Sequence, residues 1–428
     1  MSHKLILIFI AISYRMIGAT PLIALEAERS YPENELHSRP AIHISVGHAD
    51  ADIVGTDNRA LQAAVDYVGN LGGGVVDIGP GVYLMRDSLH LRSRVTVRGS
   101  GPTTILKKDR EFQTKLAADG DFGEFAITVV DSAGLEVGRG VYVASNEQRN
   151  FHGVCATILN QRDNYFTLSR HMNADILISQ GGFAATVYPI ISGYDLQNAC
   201  ITNLSVDGNI AANPTKVDGC RTAGIFLYRG DHCEIRDCQV RSYNGDGISF
   251  QQSNDVTVEN CSVNHCAGFG LHPGSGSQRP VVRNCRALQN GDDGFFFCWR
   301  VRGGVAEGNH LEGNGGYGMS IGHKDSENIV RKNTIVGNRR GGVYWRKETA
   351  PMAAHNVTFE DNLVRDNVAW GLYIDGNTNG TVIRNNVIED SGAGLQTKGI
   401  VIGADVQQID IGKNTIKAET AVTDQRGQ

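Results

Sequence analysis

The sequence predicts an all-β fold, a right-handed parallel β-helix in which short parallel strands wind around one core. Three patterns support this prediction between about residues 220 and 416. A glycine recurs about every 24 residues, alternating apolar residues follow it, and Cys or Asn recurs in register with it. A repeat of this length has no room for a full crossover helix between parallel strands, so it buries its apolar face by stacking on its neighbours.

Each repeat is aligned on one glycine. The aligned glycines are Gly224, Gly247, Gly270, Gly294, Gly318, Gly342, Gly371 and Gly394, and the steps between them are nearly equal except for a longer one from Gly342 to Gly371. The first and third residues after them are mostly apolar, whereas the residue between is mixed, as in Ile248-Ser249-Phe250. This period of two indicates a strand with one buried face.

Two further columns keep register with the glycines. The first column lies in the second half of each repeat and comprises Cys238, Cys261, Cys285, Asn309, Asn333, Asn362, Asn386 and Asn414. The second column lies just before the glycines and comprises Cys266, Asn290, Asn314, Asn338, Asn367 and Asp390. Asparagine tolerates tight turns, and stacked amides hydrogen-bond in register. The cysteines are interpreted as small apolar residues of the same ladder.

The remaining pattern divides the chain into segments. We predict an export signal over 1–27, a linker over 28–45, an N-terminal cap with the first coils over 46–110, a small β-rich insertion over 111–190, coils over 191–416 and a C-terminal tail over 417–428. The export signal is indicated by Lys4 before the apolar run Leu5–Ile12. Thr56 and Asp57 precede an amphipathic helix pattern over Leu61–Val68, and such a helix would cover the open end of the stack.

The bulk composition excludes several classes of protein. A net charge of −6 over 428 residues gives no basic stripe, so no nucleic-acid partner is expected. After the first residues, no apolar run approaches the ~18 residues of a membrane span, so no stable membrane insertion is expected. The nine cysteines form no pair of CxxC elements, and no metal site is predicted from them. The expected location is secreted or periplasmic, with a monomer as the default state.

Two regions carry a family resemblance. The stretch Asp57–Gly101, with Gly72-Gly73-Gly74 and Val-Thr-Val-Arg-Gly-Ser-Gly, resembles the N-terminal cap of the pectate-lyase-like superfamily of right-handed β-helix proteins. The repeats from Gly224 onward resemble its coil repeat. The resemblance covers roughly residues 46–416 and implies the fold. The superfamily includes polysaccharide lyases, glycoside hydrolases, alginate epimerases and phage depolymerases, so the reaction must be argued from the site.

One short stretch resembles the alginate C5-epimerase signature, whose core is Asp-Pro-His after an aromatic-glycine pair. Here Gly268-Phe269-Gly270 is followed by Leu271-His272-Pro273, so the aspartate is missing and the histidine is displaced. Calcium assists many lyases of this fold. No regular carboxylate pattern in this sequence requires it, and no cofactor is predicted.

Outward positions of successive coils gather the candidate functional residues. Neighbours in such a column should lie ~4.8 Å apart, so we expect them to form one cluster. The predicted catalytic residues are His323, Lys324, Asp325, His272 and Tyr344. The predicted substrate-binding residues are Trp299, Arg300, Arg346, Lys347 and Asp375. The longest unit adds a loop within Lys347–Val357, which is predicted to wall one side of the site.

These residue types suit proton abstraction next to a uronate carboxylate. That reaction needs a base, a cation that stabilises the enolate-like anion, and an acid. His323 or Lys324 is the candidate base. The candidate cations are Arg346 and Arg300, and the candidate acids are Tyr344 and His272.

Hydrolysis would instead need two carboxyl groups beside the scissile bond. Asp325 with Asp375 or Glu348 is the available set. The alternative interpretation of the whole cluster is structural, with His323-Lys324-Asp325 as a solvated turn and the aromatic residues as packing for the inserted loop.

The leading hypothesis is a secreted carbohydrate-active enzyme that acts on an acidic polysaccharide by lyase or epimerase chemistry. A glycoside hydrolase on the same fold is the first alternative. A non-catalytic surface or glycan-binding β-helix is the second, and a phage-tail-like depolymerase is a weaker third. The polysaccharide is the only partner expected.

Overall fold

The computed structural model describes residues 42–149, 151–217 and 219–427. The predicted export signal and most of the predicted linker lie outside these residues. The described chain forms three parallel sheets of 13, 11 and 11 strands, here called sheets A, B and C, in which each strand pairs with its equivalents in the coils on either side. The predicted all-β parallel β-helix is confirmed.

The strands are short and follow one another around the coil. Sheet A contains Ile42–Gly47, Ile53–Val54, Gly74–Ile78, Val95–Gly99, Cys200–Thr202, Glu234–Arg236, Thr257–Glu259, Val281–Arg283, Val305–Glu307, Ile329–Arg331, Thr358–Glu360, Thr381–Arg384 and Ile409–Ile411. Sheet B contains Gly81–Met85, Thr104–Lys108, Ser205–Asp207, Gln239–Arg241, Ser262–Asn264, Arg286–Leu288, His310–Glu312, Thr334–Val336, Leu363–Arg365, Val387–Glu389 and Thr415–Lys417. Sheet C contains Leu89–His90, Ile191–Gln197, Ala223–Asp231, Asp246–Gln251, Leu271–Pro273, Phe295–Phe296, Tyr317–Ile321, Gly341–Trp345, Trp370–Ile374, Lys398–Ile402 and Thr420–Asp424.

The helix Asn58–Asn70 covers the N-terminal end of the stack. Asp57 caps it by accepting a hydrogen bond from the Arg59 backbone N–H at 3.0 Å. Its apolar face, which includes Leu61 and Val65, is fully buried. Each such side chain contributes roughly 1.5–3 kcal/mol of hydrophobic stabilisation. The helix therefore closes the open end of the core, as a parallel stack requires.

The asparagine column is a continuous hydrogen-bonded ladder inside the coil. The side-chain oxygen of Asn309 accepts the Cys285 backbone N–H at 3.0 Å, and its Nδ2 donates to Asn333 Oδ1 at 3.0 Å. In the next coils, Asn362 Oδ1 accepts both the backbone N–H and the Nδ2 group of Asn333, each at 2.9 Å. Each buried amide thus pairs with backbone hydrogen-bonding groups in the turn of the neighbouring coil. The cysteines of this column, such as Cys261, are also buried, as predicted.

The last repeat corrects the predicted alignment. Leu372 pairs with Ile400, so the glycine equivalent to Gly371 is Gly399 rather than Gly394. Gly394 lies outside the strands with φ +68°, in a turn whose extra residues shift the register.

The same turn replaces a predicted member of the second ladder. Asp390 does not extend the column; its carboxylate accepts the backbone N–H groups of Gly392, Gly394 and Gln396. The Gln396 side chain takes the place in the column instead, because its Oε1 accepts Nδ2 of Asn367 at 3.1 Å. Because the glutamine side chain is longer than that of asparagine, the amide of Gln396 reaches the ladder although its backbone lies further along the turn.

Both ends of the stack hold more strand than the sequence predicts. Residues 417–428 are predicted to be a tail, whereas Thr420–Asp424 pairs with Lys398–Ile402. At the other end, Ile42–Gly47 falls largely within the predicted linker yet pairs with Gly74–Ile78. In both cases an otherwise open sheet edge offers unpaired backbone groups, which an extended segment satisfies.

The insertion is a six-stranded antiparallel sheet with its own small core, in which Val143, Ile158 and Phe166 are fully buried. Its strands are Gln113–Lys115, Ala126–Thr128, Gly140–Ala144, Val154–Arg162, Tyr165–Leu168 and Phe183–Ala185. Single turns of 3₁₀ helix occur at Ile178–Gln180 and Ile210–Ala212. The insertion is important for the site because it stands beside the outer face of sheet C.

Candidate active site

The outer face of sheet C carries the candidate site. Its central outward column is confirmed by the strand register, which pairs Ser320 with Phe296 on one side and Tyr344 on the other. The column comprises Ser192, Phe226, Ser249, His272, Phe296, Ser320, Tyr344 and Tyr373. A single face therefore holds predicted site residues together with residues from the earlier coils.

A basic groove runs between this face and the insertion. Its two main parts have volumes of about 680 Å³ and about 420 Å³, and Ser169, Arg170 and Tyr194 line both. The arginines that line the groove are Arg59, Arg92, Arg170, Arg221 and Arg229. Three of them are paired with carboxylates, Arg59 with Asp57, Arg92 with Asp66 and Arg229 with Asp195. The Arg170 guanidinium lies 3.3 Å from the centre of the Tyr194 ring. Sequence reasoning missed this groove because its arginines come from the cap, the insertion and separate coils.

A histidine–carboxylate pair also faces the groove. His90 Nε2 lies 3.0 Å from Asp87 Oδ2, and its Nδ1 lies 3.0 Å from Ser192 Oγ. Thr157 Oγ1 donates to the same Asp87 oxygen at 2.7 Å. Two coils and the insertion therefore supply one polar network, which the sequence pattern did not indicate.

Arg346, a predicted substrate-binding residue, is the centre of a second network. Its Nη1 donates to Ser320 Oγ at 3.0 Å. Its Nη2 donates to the Phe297 carbonyl at 2.7 Å and to Asp325 Oδ2 at 3.0 Å. The guanidinium lies 4.5 Å from the centre of the Phe296 ring, and 14% of the side chain is exposed. These contacts hold a cation at a fixed place on the outer face.

Two buried carboxyl groups flank Arg346. Asp325 accepts the backbone N–H of Val301 at 2.9 Å and of Gly322 at 3.0 Å. Burial raises the pKa of Asp325 to about 7, although the nearby Arg346 opposes this shift. Asp293 accepts the Ser320 hydroxyl at 2.6 Å, and burial raises its pKa to about 6. Asp293 was not among the predicted residues because it occupies a turn position where carboxylates are common.

His323 lies at the accessible edge of this network. Its ring stacks on Trp299, with 4.8 Å between ring centres and 18° between planes. Its Nε2 lies 3.0 Å from Glu348 Oε1. Burial and then the charge of Arg346 lower the pKa of His323, against the opposing effect of Glu348. The lowered pKa favours the neutral imidazole, in which Nε2 donates its N–H to Glu348 and the lone pair that can accept a proton is on Nδ1.

His272, the other predicted histidine, is buried rather than solvent-facing. Its Nδ1 lies 2.6 Å from Asp246 Oδ2. The chain around Gly219 covers it, and the Gly219 carbonyl accepts the Ser249 hydroxyl at 2.7 Å. The predicted role of His272 as an acid in contact with solvent therefore lacks the access it needs. The covering segment lies outside the repeat, so the column pattern carried no sign of it.

An aromatic strip continues along the face beyond Arg346. The Tyr344 ring lies 5.0 Å from Tyr317 and 5.5 Å from Tyr373, and Trp370 lies 5.2 Å from Tyr373. All four rings belong to partly exposed residues. Such a row of rings offers flat apolar surfaces beside hydroxyl groups.

The other predicted residues lie around these networks. Arg300 is exposed, and the Lys347 backbone N–H donates to the Tyr344 hydroxyl at 3.2 Å. Lys324 is partly exposed, and its backbone N–H donates to the Met352 carbonyl of the inserted loop at 2.7 Å. Asp375 is buried and accepts the Gly376 backbone N–H at 2.8 Å. The structure thus brings together His323, Asp325, Arg346 and Trp299, with Arg300, Lys324, Lys347 and Asp375 at the periphery.

Comparisons with known proteins agree with this architecture. Residues 199–356 match the family model for the right-handed β-helix region. The mannuronan C5-epimerase AlgE5 of Azotobacter vinelandii is 24% identical over 254 residues, which is 57% of this chain and 23% of that relative. The A-module of the mannuronan C-5 epimerase AlgE6 from the same organism aligns with a TM-score of 0.54 and 19% identity, over 86% of this chain and 91% of that structure. A polygalacturonase of Erwinia carotovora aligns with a TM-score of 0.52 and 12% identity, over 90% and 97% of the two chains.

The protein is therefore a right-handed parallel β-helix protein with a polar, aromatic and basic outer face on sheet C. This fold is the one that the sequence resemblance to the pectate-lyase-like superfamily implies. At these identities the solved structures establish the fold alone, and the chain spans 23% of the length of the curated relative AlgE5. Within the described residues, no helix is long and apolar enough to cross a membrane.

Proposed function

We propose that this protein is a carbohydrate-active enzyme that acts on an acidic polysaccharide by abstracting a proton next to a uronate carboxylate, as an epimerase or a lyase does. The observation that carries the proposal is the position of His323, whose pKa is lowered by burial and by the charge of Arg346, at the accessible edge of a basic and aromatic face. Relatives named as mannuronan C5-epimerases support the same class of substrate. With the predicted export signal over 1–27, we also propose a secreted or periplasmic location.

The long face suits a polymer better than a small molecule. Coils stack ~4.8 Å apart, so a polymer that runs from the groove at His90 to Tyr373, over the segment that covers His272, spans several sugar units. The groove arginines, above all Arg170, supply positive charge for carboxylates, while Tyr344 and Tyr373 supply surfaces on which sugar rings can stack. Binding along the face would place one unit at the His323 edge.

In the proposed reaction the His323 ring accepts the proton from the sugar carbon next to the carboxylate at Nδ1, because Nε2 holds its N–H toward Glu348. Among the described residues Nδ1 is buried and has no hydrogen-bond partner, so substrate binding has to turn the ring to expose it. Arg346 stabilises the negative charge that develops on that carboxylate. Tyr344 is the proposed acid, which returns a proton to the opposite face in an epimerase or protonates the leaving oxygen in a lyase. Glu348, 3.0 Å from His323, stabilises the imidazolium formed in the transition state.

The test is an assay of the full chain on polymannuronate, polygalacturonate and a neutral glucan. Three products are followed in parallel: unsaturated uronate absorbance for a lyase, exchange of the ring proton with solvent for an epimerase, and new reducing ends without unsaturation for a hydrolase. We expect turnover only of acidic polymers, with exchange or unsaturation as the signal. His323→Ala should reduce the rate about 100-fold or more.

His310→Ala is the matched control, because His310 also pairs with a carboxylate, Glu312 at 2.6 Å, but lies on sheet B. It should retain the wild-type rate. Wild-type activity in His323→Ala would contradict the proposed base.

A glycoside hydrolase is the second candidate, and one observation favours it. The carboxyl groups of Asp293 and Asp325 have pKa values raised to about 6 and about 7, so either can hold a proton near neutral pH. Both are buried, at 6% and 0% exposure, whereas a hydrolase needs its two carboxyl groups at the scissile bond. New reducing ends without unsaturation, lost in Asp293→Asn, would establish hydrolysis and overturn proton abstraction.

A further inference from the structure

Three metal-binding side chains meet beneath the segment that covers His272. The Sγ atoms of Cys220 and Cys298 and a ring nitrogen of His272 all lie within 4.8 Å of one another. All three residues are buried, at 7%, 4% and 1% exposure. Cys298 and His272 come from adjacent coils, since the Cys298 backbone N–H donates to the Pro273 carbonyl at 3.1 Å. Cys220 comes from the covering segment, outside the strands.

The histidine is held in the orientation that metal binding requires. Its Nδ1 lies 2.6 Å from Asp246 Oδ2, so that nitrogen directs its N–H at the carboxylate and Nε2 is the nitrogen that a metal would take, with loss of its proton on binding. The Asp246 Oδ1 atom accepts the Phe269 backbone N–H at 2.9 Å, which fixes the carboxylate in turn. The Phe269 and Phe296 rings meet the imidazole edge to face, at 5.4 Å and 5.2 Å. A carboxylate behind a ligating histidine is the usual outer shell of zinc sites.

We propose that Cys220, His272 and Cys298 form a zinc site, with Asp246 as the residue that orients the histidine. Two thiolates and one imidazole are a ligand set that zinc prefers, and soft sulfur ligands disfavour calcium and magnesium. Tetrahedral Zn–S bonds of about 2.3 Å place two sulfur atoms about 3.8 Å apart. The two sulfur atoms, which now lie within 4.8 Å of each other, would therefore approach by no more than about 1 Å.

The site has a defined structural consequence. It joins a segment outside the strands to two coils of sheet C, and the next residue after Cys220 is Arg221, which lines the basic groove. Arg221 Nε donates to the Phe151 carbonyl of the insertion at 2.9 Å. The bound metal would hold this segment over the sheet and position one wall of the groove. Three protein ligands leave the fourth position for water or another small ligand.

The cysteine pattern alone did not indicate this site. Zinc sites are usually recognised by closely spaced cysteines, whereas Cys220 precedes His272 by about two repeats and His272 precedes Cys298 by about one. Stacking of the coils brings together residues that are whole repeats apart. The proposal does not depend on the proposed reaction, so either can fail while the other stands.

The experiment uses the full chain, reduced with a phosphine and stripped of metal with a chelator. Zn²⁺ is then titrated with metal analysis after gel filtration, and Co²⁺ is used as a spectroscopic probe of thiolate ligation. We expect one equivalent of tightly bound Zn²⁺ and a sulfur-to-cobalt charge-transfer band. Cys220→Ser and Cys298→Ser should each weaken binding about 100-fold or more, and Asp246→Asn about 10- to 100-fold.

Cys266→Ser is the matched control, because Cys266 is also buried but belongs to the ladder column. It should bind zinc as the wild type does. Cys220→Ala tests whether lost zinc binding comes from misfolding, and it should fold because Cys220 lies outside the strands. Its circular dichroism spectrum should match that of the metal-free wild type. Zinc should raise the Tm of the wild type but not the Tm of this variant.

Two results would overturn the proposal. One is a reduced, folded wild-type chain that takes up no stoichiometric zinc, or whose uptake survives in both serine variants. The other is a Cys220–Cys298 disulfide that persists under reductant, which would leave seven titratable thiols (nine minus two) in the unfolded chain.

Discussion

Arg346 Nη2 lies 3.0 Å from Asp325 Oδ2, and this ion pair ties the inserted-loop coil to the coil before it. Asp325 is fully buried while Arg346 keeps 14% of its side chain exposed. The carboxylate of this pair therefore lies in the interior, and the guanidinium reaches the surface. Arg346 thus links two coils and also holds a positive charge beside His323.

Removing Arg346 should destabilise the fold as well as the activity. Arg346→Ala leaves Asp325 without its counter-ion and removes the donor to Ser320 Oγ, and breaking a buried ion pair costs about 3–5 kcal/mol. Because burial already raises the pKa of Asp325 to about 7, protonation should limit the loss to about 3 kcal/mol at pH 7. Urea unfolding measures this loss. Arg384→Ala, which breaks an exposed pair with Glu360, should cost about 1 kcal/mol or less.

Asp325 should also make stability depend on pH. Its pKa is about 7 in the folded chain against 3.8 when unfolded, so the folded state binds the extra proton between these values. Stability contributed by this group is therefore lost as pH rises from about 4 to 7, by roughly 2–4 kcal/mol. The difference in unfolding free energy between wild type and Asp325→Asn should change by that amount over this range. Asp405→Asn, at an exposed site, should show no such change.

The asparagine ladder should carry a large share of the stability of each coil. Asn333→Ala leaves the Asn309 backbone N–H and the Ala306 carbonyl without their side-chain partners, both of them buried. Each unsatisfied group costs about 1–3 kcal/mol, so we expect a loss of about 3 kcal/mol in the unfolding free energy. Gln239→Ala, at an exposed amide on sheet B, should change it by about 0.5 kcal/mol at most. Equal losses in the two variants would contradict the ladder's role.

Much of this fold follows from the repeat. Its constant period predicts the strands, the glycine column and the ladder, because each coil presents the same positions to its neighbours. The prediction was wrong at Gly394, where extra turn residues move the true equivalent to Gly399 and bring Gln396 into the ladder. A local change in length is invisible to a periodic alignment until the hydrogen bonds are known.

The site was less predictable for a related reason. His323, Asp325 and Arg346 meet because they occupy neighbouring coils, which the columns anticipated. Arg170 belongs to the insertion and Cys220 to a covering segment, and neither has a register from which its position follows. The burial of His272 depends on that same covering segment.

The basic groove should bind the polymer through charge. Arg170→Ala removes a guanidinium that is stacked on Tyr194 and lines both parts of the groove. We expect the Kd for an acidic oligosaccharide to rise about 5- to 10-fold at low salt, and the difference to shrink at high salt because of screening. Titration calorimetry at two ionic strengths measures both effects. A Kd unchanged at low salt would place the polymer elsewhere.

The fall of activity at low pH, the acid limb of the pH profile, should reflect protonation of His323. Because its pKa is lowered, kcat/KM should fall only below about pH 6.5, where the imidazole becomes protonated. Glu348 opposes the lowering, so Glu348→Gln should move this limb to lower pH. Glu312→Gln, beside His310 on sheet B, should leave the limb in place. A limb that moves equally in both variants would assign it to another group.

The measurement that tests the proposed reaction most directly is solvent deuterium incorporation into an acidic oligosaccharide, followed by mass spectrometry and NMR in D₂O. The wild-type chain should place deuterium at the carbon next to the carboxylate or form an unsaturated product there. His323→Ala should do so about 100-fold more slowly or worse, and His310→Ala at the wild-type rate. Cleavage by the wild type that yields reducing ends with neither deuterium at that carbon nor unsaturation would contradict proton abstraction.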